Sequence, residues 1–218
     1  MSAALALVAD LGAAAGVAAG VDAPSASSRA RLALLGTPRR VAQSTLARQL
    51  AALAASRLLG RRYPADGIAE AADGAGLRLA DAPGLVASIA HSRERVAVAV
   101  GPGPLGIDIE YCDEGRDVLA LARQAFNAAE VAWLEQAPGG GRAERFYLLW
   151  TRRESAYKAG LRTGVLGGES CLGGPAGSTP CCWSSRRVGD YRVSVATPRP
   201  AALEWLAVAG AELAPLGG

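Results

Sequence analysis

The sequence predicts an α+β fold, because strand-length and helix-length apolar segments are mixed along the chain without regular strand–helix–strand alternation. Two observations carry this reading. Val96-Ala97-Val98-Ala99-Val100 is a short β-branched run bounded by turn residues. Leu46, Leu50 and Leu53 recur at helical spacing behind Pro38. The 218 residues, 50% apolar, are enough for a packed core, and the 5% aromatic content makes that core largely alanine and aliphatic side chains.

The first 30 residues offer a strand near Leu5–Val8 and then an Ala/Gly/Ser stretch that reads as linker or loose helix. Pro38 suits a helix start and Gly60 a helix stop, so residues 38–60 read as a helix carrying Arg39, Arg40, Arg48 and Arg57. A Gly-punctuated loop over 64–84 leads to a strand at Leu85–Ile89 and the valine run. Gly101-Pro102-Gly103-Pro104 is a turn, and Leu105 to Glu110 a further strand. Helices follow at 116–126 and 128–136, the second with Asn127 and Glu130 in a capping-box relation. Residues 143–159 form the clearest helix, with Phe146 and Leu149 apolar and charges between them. Gly160–Pro180 reads as a Gly-rich loop, and Tyr191–Ala196 and Trp205–Ala209 as closing strands.

A net charge of +3 is too small to mark a nucleic-acid or membrane-surface binder, so partners must come from specific sites. Cys112, Cys171, Cys181 and Cys182 have neither disulfide-framework nor zinc-ligand spacing. Residues 1–24 are apolar, but no basic residue precedes Arg29, and Asp10 and Asp22 interrupt the run. A cytoplasmic protein without a signal peptide or membrane span is therefore expected. Of 23 basic residues only Lys158 is a lysine, and His91 is the single histidine. A retained lysine among arginines points to a site that wants a compact ammonium.

In Gly106-Ile107-Asp108-Ile109-Glu110 the isoleucines share one strand face and the carboxylates the other. Two such carboxylates suit a hard cation such as Mg²⁺, and equally an ordinary solvated face. Glu154 and Lys158, four apart on the strong helix, share a face, either as a surface ion pair or as a third carboxylate beside a phosphate-binding ammonium. His91 between Ser88 and Ser92 reads as a structural histidine or as a phosphate donor assisted by a serine. The early arginines read as a solvated helix face or as a basic wall for an anion. Phosphate-loop, dinucleotide and serine-elbow motifs are absent. The Cys181-Cys182 pair shows no nucleophile signature.

Together these segments resemble the two-domain, surfactin-type 4′-phosphopantetheinyl transferases, most strongly over residues 85–160. Gly106–Glu110 resembles the family's Gly-[Val/Ile]-Asp-[Ile/Val]-Glu, and Phe126-Asn127-Ala128-Ala129-Glu130 its Phe-x-x-x-Glu. Trp150-Thr151-x-Arg153-Glu154-Ser155-x-x-Lys158 resembles its Trp-[Ser/Thr]-x-Lys-Glu-[Ala/Ser]-x-x-Lys, and His91 falls where the family has Ser-His-Ser.

The resemblance implies two similar α+β halves related by a pseudo-twofold, 1–103 on the coenzyme A side and 104–218 carrying the metal-binding carboxylates, with the ligand cleft between them. It implies Mg²⁺-dependent transfer of the phosphopantetheine arm of coenzyme A to a serine of an apo acyl or peptidyl carrier protein, releasing adenosine 3′,5′-bisphosphate. Asp108, Glu110 and Glu154 would hold Mg²⁺, and Glu154 would also serve as base. Lys158 would neutralise phosphate charge. Arg40, Arg48, His91 and Ser92 would contact coenzyme A, and Glu130 would position a water or complete the metal shell. Two covalently joined halves make a monomer sufficient. Arg153 stands where the family has Lys, and Ala90 where it has Ser, which keeps a non-transferring relative that binds coenzyme A or carrier protein as the alternative. A Mg²⁺-dependent phosphohydrolase of unrelated fold is a further reading of the same carboxylates.

Overall fold

The computed structural model describes residues 3–13, 24–71, 76–138, 140–166, 170–172, 181–209 and 212–215. Parts of the expected Ala/Gly/Ser stretch (14–23) and of the Gly-rich loop (167–169 and 173–180) lie outside the described residues.

The fold is α+β, with two stacked sheets. The larger has the order β10-β9-β1-β5-β4-β3-β2, from strands β1 (Ala3–Asp10), β2 (Ile68–Glu70), β3 (Leu77–Leu79), β4 (Leu85–Ser92), β5 (Arg95–Pro102), β9 (Ala202–Ala209) and β10 (Glu212–Pro215). All its neighbours are antiparallel except β1 and β9, which run parallel. The smaller sheet has the order β6-β8-β7, from β6 (Gly106–Tyr111), β7 (Cys182–Val188) and β8 (Tyr191–Thr197), all antiparallel.

The alternation in β1 and β5 separates two apolar faces rather than apolar from polar, the larger side chains mostly on one, with Val8 and Ala9 reversed. Leu5, Leu7, Val96, Val98 and Val100 face helix α2 (Pro38–Leu59), while Ala6, Ala97 and Ala99 face the smaller sheet. Both faces are therefore buried. The alanine face meets Ile107, Ile109, Val193 and Val195 in the core between the sheets. On the far side lie α3 (Val118–Ala125), α4 (Ala128–Glu135) and α5 (Gly141–Lys158), packed around Phe126, Phe146 and Leu149. The layers run helix, sheet, sheet, helix.

Local chemistry explains the helix ends. The Thr37 hydroxyl accepts from Arg40 N–H, Pro38 occupies the first turn, and Gly60 takes the left-handed cap at φ +63°. The expected capping box is present, with Asn127 Oδ1 accepting from Glu130 N–H and Glu130 accepting from Asn127 N–H.

Several elements depart from or refine the sequence expectation, in which the residues after the first strand and before Arg31 read as linker or loose helix and Trp205–Ala209 as a closing strand. The loop over 64–84 contains β2 and β3, strands of three residues that show no readable period. The stretch taken as linker or loose helix runs into α1 (Ala26–Ala33). There the Ser25 and Ser28 hydroxyls donate to Ile68 C=O, and the Ser27 hydroxyl accepts from Glu70 N–H. Cys182–Val188, beginning at the cysteine pair, is a strand. Finally, β9 and β10 close the larger sheet, so residues 202–215 return to the layer built by the first hundred residues.

Candidate active site

Strand β6 places Ile107 and Ile109 in the inter-sheet core, which turns Asp108 and Glu110 toward α5. Close approach of helix and strand depends on Gly106. A Cβ there would lie 2.1 Å from Ser155 O and 2.6 Å from Ala159 N, so any side chain would drive α5 off the strand. The next turn of α5 then delivers Lys158, whose Nζ donates to Asp108 Oδ1 at 2.8 Å. Glu154 lies one turn back on the same face, half-buried.

Asp108 is 4% exposed, and its second oxygen, Oδ2, is buried without a partner. Burial pushes its carboxyl from the ordinary 3.8 up to about 7, against the pull of Lys158 and with a further push from Glu110 and Glu154. The Glu110 carboxyl is also raised by burial, opposed by a hydrogen bond from Ser92 Oγ to its Oε2 at 2.9 Å. The three carboxylates thus share one electrostatic neighbourhood with one ammonium. Among the described residues, no group of three or more His, Cys, Asp or Glu side chains is gathered tightly enough to hold a metal ion by itself. The donor set nonetheless fits Mg²⁺: the orphaned Oδ2 offers a hard oxygen, and Mg²⁺ takes one or two protein carboxylates and completes its shell with phosphate and water.

A basic recess of about 320 Å³ opens beside this centre, lined by Arg31, Arg40, Arg48, His91 and Lys158, with Glu70 among them. Arg40, Ser44 and Arg48 reach it from one face of α2, at i, i+4 and i+8. His91 sits near the end of β4, its pKa lowered by partial burial and then by the charges of Arg40 and Lys158. A second cavity, of about 680 Å³, shares Glu70, Gly76, Leu77 and Lys158 with the first. A third, apolar recess of about 230 Å³ lies on the other flank of Glu110, against Phe146, Trp150 and Leu166.

The expected site residues therefore divide. Asp108, Glu110, Glu154 and Lys158 converge, and Arg40 and His91 face the recess beside them. Arg48 also lines it, but its guanidinium is buried, ion-paired with Glu70 and donating to Ser44 C=O at 2.8 Å, so its charge is already offset. The Ser92 hydroxyl is engaged by Glu110 and by Tyr111 N–H, and Ser88 Oγ accepts from Ile107 N–H; these two serines of β4 brace β6. Arg57 points elsewhere, to a surface pair with Glu204.

The expectation that Glu130 completes a metal shell or positions a water is corrected. Glu130 is fully buried, and its two oxygens accept from Arg153, Asn127 N–H and Cys171 N–H. Arg153, which stands where the family has Lys, is equally buried in that pair. The Ala90 methyl packs in the inter-sheet core. Sequence reasoning missed Glu70 and Leu77, which lie in the stretch read as loop, and Arg31, which follows the stretch read as linker or loose helix.

The sequence model of the 4′-phosphopantetheinyl transferase superfamily matches residues 104–171. The chain is 38% identical over 72 residues to the 4′-phosphopantetheinyl transferase gsp of Aneurinibacillus migulanus, covering 33% of this chain and 30% of that protein. It is 30% identical over 130 residues to the 4′-phosphopantetheinyl transferase psf-1 of Bacillus pumilus, 54% of each. The matches span about a third to a half of the length of these curated relatives.

Proposed function

We propose that this chain, whose residues 104–171 carry the pattern of the 4′-phosphopantetheinyl transferase superfamily, moves the phosphopantetheine arm of coenzyme A onto a serine of an apo carrier protein. Adenosine 3′,5′-bisphosphate leaves. The single observation that carries the reading is Asp108: a buried carboxylate with one oxygen unpartnered and the other on Lys158, the ammonium that lines both the basic recess and the larger cavity. Residues 1–103 supply most of the coenzyme A side and 104–218 the carboxylates.

The reaction joins the serine Oγ to the phosphorus of the arm and breaks the bridging P–O bond of the pyrophosphate. Asp108 and Glu110 would hold Mg²⁺, with Glu154 beside them. Bound Mg²⁺ supplies positive charge to the pyrophosphate oxygens. Lys158 adds a second cation at the same place, while Arg40 and His91 bind the phosphates of the leaving nucleotide. His91, whose pKa burial and the neighbouring Arg40 and Lys158 charges hold below its ordinary value, offers a ring N–H to the anion. Glu154 accepts the serine proton. Positioning and charge account for the rate, since phosphoryl-type transfer asks little covalent chemistry of the protein.

Intact-protein mass spectrometry of apo carrier proteins incubated with this chain, coenzyme A and Mg²⁺ tests the reading. A gain of one phosphopantetheine that EDTA blocks is expected. Coenzyme A binding without any gain on acyl or peptidyl carriers would replace transfer by binding alone.

A further inference from the structure

Arg153 and Glu130 form an ion pair with no solvent exposure on either side chain, and neither is among the hydrogen-bond partners of Asp108 or Glu110. Burying two charges costs several kcal/mol before their attraction is counted, and well-packed apolar residues often serve stability as well. The pair therefore calls for a reason other than stability, and its remaining bonds give one. Arg153 Nη2 binds Glu130 Oε2, while Nη1 donates to Val165 C=O at 3.1 Å. Glu130 Oε1 accepts from Cys171 N–H at 2.6 Å, and Oε2 also accepts from Asn127 N–H at 3.2 Å. One pair thus fastens Val165 and Cys171, on either side of 167–169, to the first turn of α4 and the middle of α5. Two half-buried arginines reinforce the same fastening: Arg152 donates to Cys171 C=O, and Arg162 to Gly164 C=O and to Cys171 Sγ. Of the three, only Arg153 holds Val165 C=O through a fully buried ion pair.

Leu166 follows Val165 directly. It is 66% exposed and forms one wall of the apolar recess that holds Glu110, Phe146 and Trp150. We propose that Arg153 and Glu130 are positioning residues: their buried pair buckles Val165 and Cys171 in place, sets Leu166 over the recess beside Glu110, and so governs what binds there. An arginine is required because its guanidinium presents separate nitrogens to a carboxylate and a carbonyl, whereas a lysine offers one ammonium. This rests on the transferase reading for the identity of the occupant, the part of coenzyme A beyond its pyrophosphate.

The test compares wild type with Arg153→Lys in two assays. Peptide-level amide exchange over 161–172 reads the buckle without any ligand. Calorimetric titration with coenzyme A and, separately, adenosine 3′,5′-bisphosphate reads the recess, since the bisphosphate lacks the arm. Expected are a cooperative melt, faster exchange over 161–172, a Kd for coenzyme A raised about tenfold, and a Kd for the bisphosphate within about twofold of wild type. Unchanged exchange and unchanged coenzyme A affinity would overturn the proposal, as would equal weakening of both ligands, which signals general distortion. Should Arg153→Lys not fold, the double variant Glu130→Leu/Arg153→Met removes both charges together, avoids a lone buried ion, and is expected to give the same split. If the wild type binds neither ligand, the transferase reading has failed, and the exchange data alone decide whether the buckle exists.

Discussion

A carboxylate placed as Asp108 is, one oxygen on Lys158 and the other on nothing, is poised to receive a second cation. Its folded pKa of about 7 lies above the ordinary 3.8, so the protonated form is favoured by folding. The stability this group contributes is fully present below pH 3.8 and is lost as pH rises through about 7. The chelator-treated protein should therefore lose thermal stability across that window, Asp108→Asn should flatten the loss, and Mg²⁺ should restore stability at the upper end. A melting temperature that ignores pH between those limits would remove the basis for the assignment. Asp108→Ala should lower transfer to carrier protein by about 10²–10³-fold, as loss of a major charge-stabilising group does. At this scale the sequence was informative about faces and silent about partners. Period two put Asp108 and Glu110 on one side of the strand, but only tertiary packing shows that Arg48 is neutralised by Glu70 and that the Ser92 hydroxyl is taken by Glu110.

Strand β6 and helix α5 act as one unit because Gly106 lets them touch. Gly106→Ala should force the backbones apart at a cost of about 1–3 kcal/mol or more and weaken Mg²⁺ binding together with transfer, read by a melt and a metal titration. The serine braces act from the other side. Ser92→Ala leaves Tyr111 N–H and Glu110 Oε2 each short of a partner, an expected loss of about 1–3 kcal/mol in denaturant unfolding, with the Glu110 carboxyl moved further up. Wild-type stability in Ser92→Ala would mean that water replaces the brace. Helices were legible where end signals announced them, as at Pro38, Asn127 and Gly60. Strand β7 was not, because Ser184, Ser185, Arg186 and Arg187 are half-buried or exposed and carry no apolar alternation. Strands β2 and β3 are too short for any period to register.

Across the whole molecule, the division at residue 103 read from the sequence meets a chain that crosses it twice. β9 pairs in parallel with β1 from Ala3↔Ala202 to Ala9↔Val208, and Trp205 fills the inter-sheet core. Removing residues 202–218 should expose the backbone edge of β1 and abolish cooperative unfolding, and residues 1–103 expressed alone should fail to fold. Circular dichroism with a thermal ramp checks both, and a cooperative melt from either fragment would show that β9 is dispensable. Nothing local in the sequence advertises such a pairing, since its partners lie almost 200 positions apart.

The hydroxyls of Ser25, Ser27 and Ser28 lie against the backbone of β2, the outermost strand of the larger sheet. A strand in that position is normally an open template for another copy of the chain. Here Ile68 C=O and Glu70 N–H are already engaged, so a second molecule would have to peel α1 away before it could add a strand. The serines that open this short helix thus cover the edge of the sheet, while its Arg31 faces the basic recess.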